Sequence, residues 1–68
     1  MSEFRIILDL ATMHDLSVDD VLGRRLDPRL VAVRAMVAHA MRSQGLSTPK
    51  IGKAMRRDHS SIVHLLQT

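Results

Sequence analysis

Both prolines of this chain stand one or two residues after a residue suited to cap a helix. Asp27-Pro28 and Ser47-Thr48-Pro49 each place a short hydrogen-bond acceptor ahead of a residue whose φ is already helical, an arrangement that opens a helix instead of breaking one. Ser2 and Ser17 stand where they can cap two further starts, and Asp20 follows Ser17 at capping-box spacing. Gly23 and Gly45 supply stops. Between these marks the apolar residues recur at helical spacing, and no period-two alternation reads as a strand. The expected fold is therefore all-α, a small bundle of about five helices forming a single domain over residues 1–68.

The first helix is expected to run to about His14, with Phe4, Ile7, Leu8 and Ala11 as its stripe and Ile6, Leu10 and Met13 broadening it. Val21 and Leu22 anchor a second, short helix that stops at Gly23. From Leu30 to Gln44 the third helix is apolar nearly all round, the pattern of a helix packed on several sides, so it belongs at the centre of the core. Ile51, Ala54 and Met55 anchor a fourth. The polar run Arg56-Arg57-Asp58 interrupts it, and Asp58 is placed to cap a last helix carrying Ile62, Val63, Leu65 and Leu66. Two short helices joined by a tight turn, from about Ser47 to Thr68, read as a helix-turn-helix.

A chain of 68 residues has little core to draw on, and the absence of cysteine removes disulfide staples and thiolate metal sites. No run of about 18 uncharged apolar residues spans a membrane, and the start lacks the basic segment and cleavage site of a signal peptide. A cytoplasmic protein without membrane contact is the expectation. Charge divides the chain. Residues 1–23 carry one base and five acids, whereas residues 24–68 carry nine bases and two acids. The second half has the footprint of a polyanion-binding surface, and the first half that of a solvent-facing back.

A helix-turn-helix presents the N-terminal end of its second helix to the major groove while the first helix crosses the backbone. Here the last helix opens on Asp58, His59, Ser60 and Ser61, all hydrogen-bonding groups, and its apolar residues begin at Ile62. Capping alone would explain Asp58 and the serines. Arg56 and Arg57 beside that tip favour a bound polyanion, with Lys50 and Lys53 on the preceding helix as phosphate contacts.

The run Arg57-Asp58-His59-Ser60-Ser61-Ile62-Val63-His64, preceded by Pro49-Lys50-Ile51-Gly52, resembles the signature of the C-terminal DNA-binding domain of the bacterial replication initiator DnaA family. More weakly, Leu16 to Arg25 is similar to the family's short helix and basic loop, and Arg34 to an arginine opening its long helix, which the resemblance places among the DNA-contacting residues. The resemblance implies sequence-specific binding of double-stranded DNA. It implies that residues 57–61 read bases or adjacent phosphates in the major groove, that Arg25, with Arg24 beside it, enters the neighbouring minor groove, and that Thr48 and Pro49 lie against the backbone and a thymine methyl. Two serines stand where the family has threonines, and Arg56 stands where it has glycines, so a turn suited to positive φ is altered. No Gly-x-x-x-x-Gly-Lys-Ser/Thr loop is present, so no nucleotide or other cofactor is expected. Bacterial or phage-encoded, nucleoid-associated control of replication or transcription fits such a domain. Met1 ahead of a well-formed helix favours a stand-alone regulator over an excised initiator domain.

Metal-binding and catalytic classes fit the sequence poorly. His14, His39, His59 and His64 form no i, i+4 pair with other ligands nearby, so no metal site is expected; at His64 a hydrogen bond to backbone or phosphate is the simpler role. Asp58, His59 and Ser60 are helical neighbours pointing about 100° apart and cannot form a triad, which argues against an enzyme. The stronger competitor is a protein-interaction module using the same helical face, with Met36, Met41 and Met55 as an adaptable surface.

Overall fold

The computed structural model describes residues 2–67; Met1 and Thr68, the outer limits expected for the domain and the helix-turn-helix, lie outside the described residues. Five helices follow in order: α1 (Glu3–Met13), α2 (Val18–Leu22), α3 (Pro28–Ser43), α4 (Thr48–Met55) and α5 (His59–Leu66). No strand occurs among the described residues. The caps work largely as the sequence implies. Ser2, Ser17 and Ser47 accept from the backbone N–H of Arg5, Asp20 and Lys50, at 3.3, 3.0 and 3.4 Å, and Asp27 accepts from that of Arg29 at 2.8 Å. Asp58 differs. It occupies the cap position of α5 but makes no side-chain capping bond.

Three of the four connections share one backbone design. After α1, Asp15 adopts φ 58° and the N–H of Leu16 returns to the Ala11 carbonyl at 2.8 Å. After α3, Gly45 adopts φ 90° and Leu46 bonds back to Met41 at 3.3 Å. After α4, Arg56 adopts φ 58° and Arg57 bonds back to Gly52 at 2.7 Å. Each is a Schellman closure, in which a left-handed residue turns the chain and the next N–H satisfies a carbonyl the helix leaves open. A capping residue follows each time: Ser17, Ser47 and Asp58. Leu16 and Leu46 pack against the core as the apolar members of this motif, whereas Arg57 occupies the same place in the third.

Helix α3 packs against each of the other four, and the core collects along it. Ile6, Ile7 and Ala11 of α1, Val21 of α2, Val33, Val37, Ala38 and Met41 of α3, Ile51 and Met55 of α4, and Ile62 and Leu65 of α5 form one cluster. The central placement of α3 agrees with the sequence, but its burial all round does not. Val31 and Met36 face solvent with Leu26 and Pro28, because four short neighbours cover only part of a helix of 16 residues. On α1 the buried stripe is Ile6, Ile7 and Ala11, and Phe4 and Met13 at its edges are 59% and 75% exposed. Of the three methionines considered for an adaptable surface, only Met36 is exposed.

Val37 is fully buried at the middle of α3. Val37→Asp places an uncompensated charge there, and the expected loss of about 4 kcal/mol or more would leave little of a small domain's stability. Loss of the helical circular-dichroism signal and of a cooperative melt is the expected result.

Candidate nucleic-acid interface

The α4–α5 pair depends on close backbone approach. Gly52 is buried, and a Cβ added there would lie 2.5 Å from the Arg57 carbonyl oxygen, so the turn can fold over α4 only where residue 52 has no side chain. Arg56 takes the left-handed conformation itself, so the loss of glycine expected to alter the turn is absorbed by strain at an arginine. This closure brings residues 56–58 and the start of α5 back over the side of α4 that carries Lys53.

There the turn meets the α2–α3 loop. One open groove is lined by Leu22 and Arg24 from the end of α2, Gly52 and Lys53 from α4, Arg56, Arg57 and Asp58 from the turn, and Ser61 from α5. A second, more apolar depression beside it brings together Leu26, Val31, Arg57, Ser60, Ser61 and His64. The loop and the tip of α5 thus share one surface although some thirty residues separate them. Arg24, Arg56, Asp58, Ser60, Ser61 and His64 are exposed on it. His59, the first residue of α5, is exposed beside them. Thr48 is half-buried and Pro49 exposed at the start of α4, outside both depressions.

Lys50 does not join the groove. It lines a separate depression with Glu3, Phe4, Val18, Asp19, Ala54 and Arg56, and Lys53 borders both. The acidic first half is therefore more than a back surface, because Glu3 and Asp19 flank the basic face. Arg25 extends from the loop with its side chain 71% exposed, and its guanidinium lies 3.8 and 3.9 Å from the carboxylates of Asp20 and Asp27. Such exposed pairs are weak and readily exchanged for another anion.

Two other arginines of the sequence-predicted set face inward. Arg34 is only 3% exposed. Its Nε donates to the Val21 carbonyl at 2.8 Å, its Nη2 to those of Asp20 at 2.9 Å and Gly23 at 3.0 Å, and its Nη1 to that of Arg25. Arg34 is thus not brought to the surface, and the contact implied for it is replaced by a role inside the bundle. Arg57 is half-buried, with Nη1 on the Met55 carbonyl at 3.1 Å and Nη2 on that of Gly23. Burial lowers the pKa of both. Asp20 partly opposes the shift at Arg34, while Arg34 and Arg24 add to it at Arg57. Leu26, between the loop arginines and α3, is 84% exposed on the same surface, and its apolar character inside a basic loop is the one signal in the sequence that marks it.

Fold and site together define a small all-α bundle that carries a helix-turn-helix and a basic groove. No protein-family model matches the chain. Among curated proteins it is 37% identical over 62 residues to the chromosomal replication initiator protein DnaA of Cutibacterium acnes, a match that covers 88% of this chain and 12% of that protein. The similarity therefore extends well beyond residues 49–52 and 57–64 to most of this chain, which spans only about an eighth of the length of that DnaA protein.

The turn geometry gives two substitutions opposite signs. Gly52→Ala gains helix propensity but meets the Arg57 carbonyl, so a net destabilisation of about 1–3 kcal/mol is expected. Arg56→Gly relieves the left-handed conformation and should stabilise by about 0.5–1 kcal/mol after the added freedom of the unfolded chain is counted. Thermal melts of the two variants against the unsubstituted chain check both.

Proposed function

We propose that this chain is a binding domain that reads double-stranded DNA, with the start of α5 in the major groove and the arginine loop in the minor groove beside it. One observation carries the reading: Arg24 of the loop, Lys53 of α4, and Arg56, Arg57, Asp58 and Ser61 of the turn and α5 line a single groove. That arrangement unites what DNA recognition needs. Cations contact phosphate and supply affinity that falls with salt, while short polar groups at a helix tip reach base edges. Asp58, with no capping bond to hold its side chain, can accept from a cytosine amino group; His59 and the serines can meet several edges. Kinship with DnaA supports the same reading. Such a domain serves as a regulator of replication or transcription, or as the DNA-reading part of an initiator, and uses one surface in either case.

A second reading, docking of a protein, draws on the exposed Leu26, Val31 and Met36. The two differ in their response to salt, because phosphate contacts release counterions and apolar docking does not.

Selection of bound sequences from random duplexes supplies a target. Titration of variants on that target and on scrambled DNA at two salt concentrations then tests the roles. Lys53→Ala should weaken both DNAs alike and reduce the salt slope by about 1. His59→Ala should spare nonspecific affinity and relax base choice at one or two positions, by about 1–3 kcal/mol. A chain that selects no sequence and binds duplexes without salt dependence would refute the proposal.

A separate arm concerns the loop. Arg25→Ala should lose most affinity on targets whose flank has the narrow minor groove of an A·T run, since arginine there responds to groove shape. Equal losses on A·T and G·C flanks would make Arg25 a plain phosphate contact.

A further inference from the structure

Of the four connections, only that between α2 and α3 lacks a Schellman closure. Gly23 is extended there, with φ −79° and ψ −167°, and residues 24–27 follow without helical structure. A five-residue helix also leaves its last carbonyls without intrahelical partners. The Asp20 carbonyl accepts the Gly23 N–H at 3.3 Å, and a side chain 13 and 14 residues away does the rest: the Arg34 guanidinium takes the Val21 carbonyl, adds a second bond to that of Asp20, and takes those of Gly23 and Arg25. Its planar fork reaches several acceptors at fixed angles, which the point charge of a lysine cannot do. The Gly23 carbonyl accepts a second guanidinium, that of Arg57 in the α4–α5 turn. One oxygen is therefore held in common by the long helix and by the turn that precedes α5.

We infer that Arg34 is a positioning residue for DNA reading, which sets the loop arginines at a fixed offset from the tip of α5 by holding the loop carbonyls from inside, with Gly23 as the point where loop and turn are clasped. The inference rests on the DNA-binding reading above. Its consequence is that the two contact regions act as one rigid reader. Ordering of the loop occurs during folding instead of at the DNA, so the entropy of fixing Arg24 and Arg25 does not oppose binding.

The test is a double-mutant cycle on the selected DNA target. Arg34→Lys keeps a cation but not the fork, and Arg34→Gln keeps a donor without the charge; retention of helical signal identifies the variant to be used. On the otherwise unsubstituted chain it should lower affinity about 10-fold, and on a chain already carrying Arg24→Ala and Arg25→Ala by about 2-fold or less, because residues that act through one another are not additive. Equal losses in both backgrounds would overturn the inference and leave Arg34 a general contributor to stability. A measurement on the free, unsubstituted chain stands independently of any variant's folding. The Arg34 Nε–H should exchange slowly with solvent by NMR, and rapid exchange would overturn the clasp. The two readings fail differently. Slow exchange in a chain that binds no DNA would sink the DNA-binding reading and with it the positioning role, whereas specific binding with additive losses would sink only the latter.

Discussion

The buried guanidinium of Arg34 is the interaction that fastens α2 and the following loop to the rest of the bundle. Taking a cation out of water is costly, and Arg34 has no carboxylate bonded to it; four carbonyl oxygens at the end of α2 and in the following loop take the place of water. The exchange works in both directions. The Val21 and Arg25 carbonyls gain a donor, those of Asp20 and Gly23 gain a second, and the cation gains acceptors arranged around its plane. α2 and the loop are thereby fastened to α3, the helix that every other element touches.

The α4–α5 pair is held by different means. Its turn is a backbone device, a left-handed residue followed by a returning N–H, with Gly52 small enough to let the turn pass. Two of the three such turns pack a half-buried leucine against the core after the left-handed residue. The third places Arg57 there, and its guanidinium crosses to the Gly23 carbonyl instead of entering the core. That single departure from the apolar pattern joins the helix-turn-helix to the arginine loop. A charge at a position that usually packs thus serves as a link between two segments distant in the chain.

The exposed apolar strip of Leu26, Val31 and Met36 and the acidic border of Glu3 and Asp19 show how a short chain distributes its residues. Five helices of this length cannot surround the longest of them, so one strip of α3 is left at the surface. Packing α1 against the side of α4 likewise carries its acidic first turn next to Lys50 and Lys53. Neither result follows from the order of charges along the chain, because adjacency between helices is set by which faces bury.

Helix number, their approximate limits and the central place of α3 were legible in the sequence, since caps and apolar spacing act within a few residues of each other; of the two glycines read as stops only Gly45 is left-handed, whereas Gly23 is extended and Asp15 and Arg56 take the left-handed places. The motif from Pro49 to His64 was legible for the same reason: its chemistry is local, and it carries the family resemblance. Arg34 was not. As an arginine in a basic half it reads as a surface contact, and only the packing of α2 across α3 turns it inward onto carbonyls 9 to 14 residues away. The same holds for Arg57 and Gly23, whose bond spans 34 residues. Local order is determined by the sequence because its causes are short-ranged. Which arginines face outward and which hold the frame was decided by tertiary structure, because a guanidinium's partners are set by the elements that pack around it.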